Sequence, residues 1–219
     1  MSKAEILGNI RRGLGRTQAT EAEKTRVATR IATHAANLIP ARAQLPEAQT
    51  QALFIEMARE AAAEVIELKQ ASALPAAVAE WLDATGIDEL VMATDASLKS
   101  LRQQLPDSLK VRDGVALAGD LASLTSAFLG IAETGTLMLY SRPDSPTTLN
   151  FLPDNHLVVL QRKDIVGVYE QAWARLREQQ AGLPRTVNMI TGPSRSADIE
   201  QKLQMGAHGP RRLVIFLVG

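Results

Sequence analysis

EAQTQALFIEMAREAAAEVIELKQASALPAAVAEWLDATGIDELVMATDASLKSLRQQL, residues 47–105, switches repeatedly between two periodicities. Leu53, Phe54, Met57 and Ala61 recur at helical steps. Glu64–Leu68 then reads as a short strand, and a helix after Pro75 carries Val78, Trp81 and Leu82. Glu89–Thr94 reads as the next strand and Ala96–Leu105 as the next helix. Parallel strands need a long crossover connection, usually a helix, so this alternation predicts an α/β fold with a mostly parallel sheet.

The alternation returns downstream. A helix after Asp164 places Ile165, Val168, Ala172 and Leu176 on one face; Arg185–Thr191 reads as a strand, GPS as a turn, Ala197–Met205 as a helix and Arg212–Val218 as a strand. RLVIFLV is almost wholly apolar, which predicts a strand deep in the sheet and buried on both faces. Residues 111–160 are richer in strands, with Thr136–Ser141 and His156–Leu160 the clearest. Between those two lies SRPDSPTTLNFLPDN, and long loops inside compact domains are often functional.

Upstream, Ser2-x-x-Glu5 and Thr20-x-x-Glu23 have the spacing of capping boxes. Ile6, Leu7, Ile10 and Leu14 follow the first, and Val27, Ile31, Ala35 and Leu38 the second. No strand separates these two helices, so residues 1–42 read as a helical arm and 43–219 as the α/β domain. The arm holds eight Lys/Arg and three Asp/Glu, a net of +5, which leaves −5 on the remainder of a chain whose net charge is zero. A basic arm on an acidic body is either a docking element or a solvated pair of helices.

Composition narrows the classes. A chain that is 46% hydrophobic can bury a core, and zero net charge argues against a nucleic-acid surface over the whole protein. There is no cysteine, so neither disulfides nor a thiolate-held iron–sulfur cluster can be built from this chain. No apolar run approaches the ~18 residues of a membrane span, and the opening residues lack the apolar core of a secretory signal, so the expected location is the cytoplasm.

Three features bear chemistry. In GIAETGT, Gly130 and Gly135 permit unusual backbone and close approach by a ligand, and Glu133 between them is a candidate acid, base or nucleophile; the alternative is a tight turn whose carboxylate caps backbone N–H groups. Its spacing is neither G-x-G-x-x-G nor a Walker loop. In TGPSRSADIE, a helix start near Ser194–Ser196, with Arg195, would suit a carboxylate or phosphate, unless Asp198 and Glu200 already satisfy that helix end. The histidines form no metal-binding spacing; His156 opens a strand behind the Pro-rich loop and is a catalytic candidate because imidazole titrates near neutrality, whereas His208 precedes its strand and reads as structural.

GIAETGTLMLYS (130–141), PTTLNFLPDNHLVVL (146–160) and NMITGPSRSADIEQKLQMGAHGP (188–210), in this order, resemble the LUD domain family. The basic opening helix, LIPAR (38–42) and YEQAWARL (169–176) resemble its protein C branch. The resemblance implies a three-layer α/β/α sandwich similar to the sugar-phosphate isomerase and CoA-transferase fold. It further implies a place in a system that oxidizes L-lactate to pyruvate, in which lactate-utilization proteins A and B carry the iron–sulfur clusters and the cluster-free member needs no cofactor. Glu133, Thr134, Gly135, His156, Thr191, Gly192, Ser194, Asp198 and Glu200 would be shared family positions, with no catalytic role implied for any one of them.

Taken together, Glu133 and His156 are the candidate catalytic residues, with no metal ligands; Gly130, Thr134, Gly135, Thr136, Thr191, Gly192, Ser194, Arg195 and Ser196 are candidates for binding an anionic substrate, a small 2-hydroxy acid. The expected function is a cluster-free subunit that binds lactate or assists the iron–sulfur partners. The alternatives are a stand-alone enzyme using Glu133 and a scaffold docking through the arm.

Overall fold

The structure, a computed structural model, describes residues 2–16, 18–196, 204–205 and 208–219. In chain order its elements are α1 (Lys3–Gly13), α2 (Glu21–Thr33), α3 (Glu47–Glu60), β1 (Glu64–Leu68), α4 (Leu74–Ala84), β2 (Glu89–Met92), α5 (Lys99–Gln104), β3 (Lys110–Asp113), β4 (Ala122–Ser126), β5 (Leu129–Ile131), β6 (Thr136–Tyr140), β7 (Asn155–Gln161), β8 (Ile165–Val166), α6 (Tyr169–Gln179), β9 (Val187–Ile190), β10 (Arg195–Ser196), β11 (Gln204–Met205) and β12 (Arg212–Val218). The chain separates into two compact units, residues 1–38 and 39–219.

In the smaller unit, both helices start on reciprocal capping boxes, Ser2 with Glu5 and Thr20 with Glu23. Neither helix has a buried residue, and Ile6, Leu7, Ile10, Val27 and Ile31 are all exposed. The short turn Ala41–Ala43, which spans the expected boundary at 42/43, lies in the larger unit: Ala43 is buried, and its carbonyl oxygen lies beneath Gly167.

The larger unit is built on a six-stranded sheet in the order β1-β12-β7-β4-β2-β3, parallel throughout. β12 sits between β1 and β7, and the two-residue alternation of a strand sorts its side chains. Val214, Phe216 and Val218 face the cluster built by α4 and α5, with Val78, Leu82 and Leu101. Leu213, Ile215 and Leu217 face the opposite cluster, with Phe54 and Ala58 of α3. Its apolar run is continuous because both faces are covered. β7 divides likewise, Leu157 and Val159 to one side and Val158 and Leu160 to the other.

A second sheet, β8-β5-β6-β9, lies on the α3 side. Its outer face is covered by α6, whose Ala172 and Leu176 pack on Leu129, Ile131 and Met138. The architecture is therefore α/β with helices on both faces of a parallel sheet, one flanking layer being part helix and part sheet.

One local expectation is corrected. A helix was expected to start near Ser194–Ser196 and run to Met205. Instead Arg195–Ser196 is extended and pairs antiparallel with Gln204–Met205. Residues 197–203 of that expected helix, Asp198 and Glu200 among them, lie outside the described residues.

Candidate functional site

Three segments distant in sequence converge where β7 and β12 begin. The Pro-rich loop ends in a 3-10 turn, Thr147–Asn150, that leaves Asn150 buried. The chain then enters β7, and His156, its second residue, is fully buried. Beyond β9 the backbone turns at Gly192, where φ is +70° and a Cβ would stand 2.0 Å from the Ala61 carbonyl oxygen. Only glycine meets both conditions, the left-handed backbone and the close approach. Two bonds then zip this turn to the one before β12: the Ser194 N–H donates to the Pro210 carbonyl at 2.9 Å, and the His208 N–H to Ser194 Oγ at 3.2 Å.

These segments enclose a cavity of about 270 Å³, lined by Asn150, Phe151, His156, Thr191, Gly192, Ser194, Arg195 and His208 among others. That is below the ~300–1,000 Å³ of pockets for drug-sized ligands, and so the right scale for a small metabolite. Arg195 is exposed, and among the described residues no carboxylate pairs with it. His156 Nε2 lies 2.8 Å from Thr125 Oγ1, also fully buried. The register explains this contact. His156 pairs with Ser123, and Thr125 is the next residue of β4 on that face. Two of the lining residues each carry a fully buried polar atom with no hydrogen-bond partner among the described residues, His156 Nδ1 and Asn150 Oδ1.

Titration of His156 near neutrality does not hold. Burial pushes its pKa from 6.5 down to about 3, so the ring is neutral throughout the physiological range.

The GIAETGT segment is linked to the site through Thr136 and Thr191 and does not line it. Gly130 and Gly135 face protein rather than ligand: a Cβ at Gly130 would lie 2.8 Å from the Phe54 ring, and one at Gly135 2.2 Å from the Ala58 backbone nitrogen. Glu133 is buried, its Oε2 has no partner among the described residues, and it is not among the cavity's lining residues. The threonines beside it build a hydroxyl cluster. Thr136 Oγ1 bonds Thr134 Oγ1 (2.7 Å), the Tyr169 hydroxyl (2.9 Å) and Thr191 Oγ1 (2.6 Å), the last of which ties the turn to the cavity wall.

The structure thus gathers His156, Thr191, Gly192, Ser194 and Arg195 at one cavity, connects Thr134 and Thr136 to it by hydrogen bonds, and leaves Gly130, Glu133 and Gly135 off its lining. Ser196 begins the pairing with Gln204. Sequence reasoning missed Asn150 and Tyr169 and set His208 aside. A lone Asn or Tyr has no motif spacing, although Asn150 lies in a segment already singled out. His208 was judged by the rule that α/β sites form at the C-terminal ends of strands. This cavity lies at their N-terminal ends.

A larger cavity, of about 500 Å³, does lie at the C-terminal ends, lined by Asp95, Ser126, Arg142, Gln161 and Arg175 among others. Its cations are already matched: Arg142 lies 3.2 Å from Asp144 and 3.5 Å from Asp95, and Arg175 pairs with Asp164. An incoming anion would compete with three carboxylates there and with none of the described ones at Arg195.

Among the described residues no group of three or more His, Asp or Glu side chains converges to hold a metal ion, and no helix is long and apolar enough to cross a membrane.

Comparison with known proteins places the chain. An uncharacterized protein of Neisseria meningitidis serogroup B is 40% identical over 97 residues, 44% of this chain and 42% of that protein. Lactate utilization protein C of Geobacillus thermodenitrificans is 38% identical over 106 residues, 46% of this chain and 44% of that one. The protein of the same name from Bacillus subtilis is 36% identical over 98 residues, 43% and 41% of the two chains. The chain thus spans less than half the length of these curated relatives in its matches to them. A DUF162 family protein from Deinococcus radiodurans, solved by crystallography, superimposes with a TM-score of 0.60 at 25% identity, covering 80% of this chain and 99% of that one. Residues 51–218, which include every segment of the cavity wall, match the LUD domain, and the chain belongs to the LUD domain family.

Proposed function

We propose that this chain is the cluster-free component of a cytoplasmic L-lactate-utilizing system and that it binds the hydroxy acid in the cavity beside Asn150, His156 and Arg195. The observation that carries the reading is Arg195, a guanidinium on the wall of a metabolite-sized cavity with no carboxylate partner among the described residues. A guanidinium presents a planar fork of donors that matches a carboxylate in two parallel bonds. The relatives named lactate utilization protein C supply the identity of the acid.

Oxidizing lactate to pyruvate requires an electron acceptor. This chain has no cysteine with which to hold an iron–sulfur cluster, so the reading assigns the clusters to partner proteins A and B and the acid to this one. Glu133 as the centre of a stand-alone enzyme is less well supported, because it is buried and does not line the cavity.

Isothermal titration of the full chain with L-lactate tests the proposal. Binding is expected, and Arg195→Ala is expected to weaken it by roughly ten- to a hundred-fold, the range for losing a hydrogen-bonded charge. A wild-type chain that takes up no L-lactate at millimolar concentration would end the reading.

A further inference from the structure

We infer that the cavity of about 500 Å³ at the C-terminal ends of the parallel strands is a second ligand site, and that it takes a neutral, polyhydroxylated molecule of monosaccharide size. It shares no lining residue with the Arg195 cavity and does not depend on the acid proposed for that one.

The topology opens this cavity. β2 and β4 are neighbours in the sheet, yet the chain leaves them in opposite directions. From β2 it runs through α5 to β3 at the sheet's edge; from β4 it runs through β5 and β6 to β7 on the other side. α5 packs on one face of the sheet and β6 on the opposite face. Connections that part in this way leave a crevice beyond the carboxyl ends of the two strands, where open α/β sheets bind ligands. Asp95 and Ser97, just past β2, and Ser126 and Phe128, at the end of β4, line the cavity.

The periodicities of the elements aim polar side chains into it. Val159 and Gln161 are alternate residues of β7, so they share a face of the strand, and both line the cavity. Arg175 and Gln179 stand one turn apart on the same face of α6, as Ser100 and Gln104 do on α5. A ligand can reach these groups: the side chains of Arg142, Arg175 and Asp164 are 25%, 30% and 18% exposed, Gln161 is half-buried, and Ser100 and Gln179 are exposed. Asp95 is buried and acts on a ligand only through Arg142, 3.5 Å away.

Charge decides the class of ligand. Arg142 is held by Asp95 and Asp144, and Arg175 pairs with Asp164, so three carboxylates meet two guanidiniums and the balance disfavours an anion. Each carboxylate already has its arginine, and a cation would have to displace a permanently charged group. An apolar ligand would strip water from these ions and return no hydrogen bond. A hydroxyl both donates and accepts, and the wall offers both functions. Arg175 has five N–H groups and bonds Asp164 through one nitrogen. The amides of Gln161 and Gln179, each with donors and an acceptor, make no hydrogen bond among the described residues. Pro75, Phe128 and Val159 supply an apolar part of the wall, against which the C–H face of a ring can lie.

The test is ¹H–¹⁵N NMR of the full chain, reading glutamine side-chain amides and arginine Nε–H groups as ligand is added. The neutral probes are D-ribose, D-glucose, myo-inositol and D-glucitol, taken to millimolar concentration. D-Gluconate and D-glucosamine, which carry one negative and one positive charge on a similar skeleton, are the controls. At least one neutral probe is expected to shift Gln161, Gln179 and Arg175 saturably. The double variant Gln161→Ala, Gln179→Ala is expected to weaken that probe about tenfold or more, the effect of losing two neutral hydrogen bonds. Ser100→Trp, which sets a bulky ring on the lining from an exposed helix position, is expected to abolish binding. Unchanged resonances elsewhere show that both variants are folded. No saturable shift with any neutral probe, or undiminished affinity in both variants, would overturn the site. Gluconate or glucosamine binding as tightly as the best neutral probe would overturn the neutral class. Shifts at Thr191 and Ser194 in place of Gln161 and Gln179 would put the polyol in the Arg195 cavity and refute a second site.

Discussion

Gly135→Ala is expected to cost the larger unit roughly 2–5 kcal/mol, a large share of the ~5–15 kcal/mol that holds a typical domain together. Two separate penalties add. Gly135 has φ at +64°, a left-handed conformation that costs a residue with a Cβ about 1–2 kcal/mol. An alanine Cβ would also stand 2.2 Å from the Ala58 nitrogen and 2.5 Å from the Met57 carbonyl carbon. Both atoms are backbone of α3, and Phe54 and Ala58 of that helix are fully buried in the core, so α3 cannot step aside as a flexible side chain would. Overpacking of this kind costs about 1–3 kcal/mol. Gly182→Ala is the matched control. Nothing lies within 4 Å of its Cβ position and its φ is ordinary, so a change within about 0.5 kcal/mol is expected. Urea unfolding of both variants decides the matter, and a Gly135→Ala midpoint equal to that of wild type would refute the clamp. The damage should reach the cavity as well, because Thr136, the next residue, anchors Thr191 in its wall.

That clamp also marks where sequence reading stops. GIAETGT was singled out for its glycines, and the glycines do answer to close approach, but the body that approaches is α3, from more than seventy residues upstream. A glycine in a sequence states that something comes near without stating what. The parallel sheet was readable because β1 and β2 are short strands separated by the helical periods of α3, α4 and α5. The second sheet was not, since β5 and β8 have three and two residues, too few to display an alternation. The convergence of Asn150, His156 and Arg195 depends on β12 inserting between β1 and β7, a pairing between distant segments that no local pattern encodes. The state of His156 was closer to the surface of the sequence than its assignment as a titrating group allowed. The four residues that follow it, Leu157–Leu160, are all apolar, and a strand buried on both faces holds its first side chains neutral too.

Stability of the larger unit is expected to fall by roughly 2 kcal/mol as pH drops from about 7 to about 5, with His156 as the main cause. The ring's pKa is 6.5 in an unfolded chain and about 3 in the fold, lowered by burial. Between those values the unfolded chain binds a proton at this position and the folded chain does not. Stability therefore rises with pH across the window, by about 1.4 kcal/mol per unit: it is fully present above pH 6.5 and lost as pH falls toward 3. Carboxylates add their own dependence below about pH 5, so the upper part of the window isolates the histidine. His156→Gln, neutral at every pH and still able to bond Thr125, is expected to flatten the slope between about pH 7 and 5, whatever it does to stability at neutrality. Urea midpoints measured across that interval provide the comparison, and a wild-type protein with no slope there would mean that the ring protonates within the fold. A histidine held neutral in this way is not a proton carrier. L-Lactate affinity should accordingly stay level over the same interval, and a bell centred near neutrality would restore proton transfer as the role of His156.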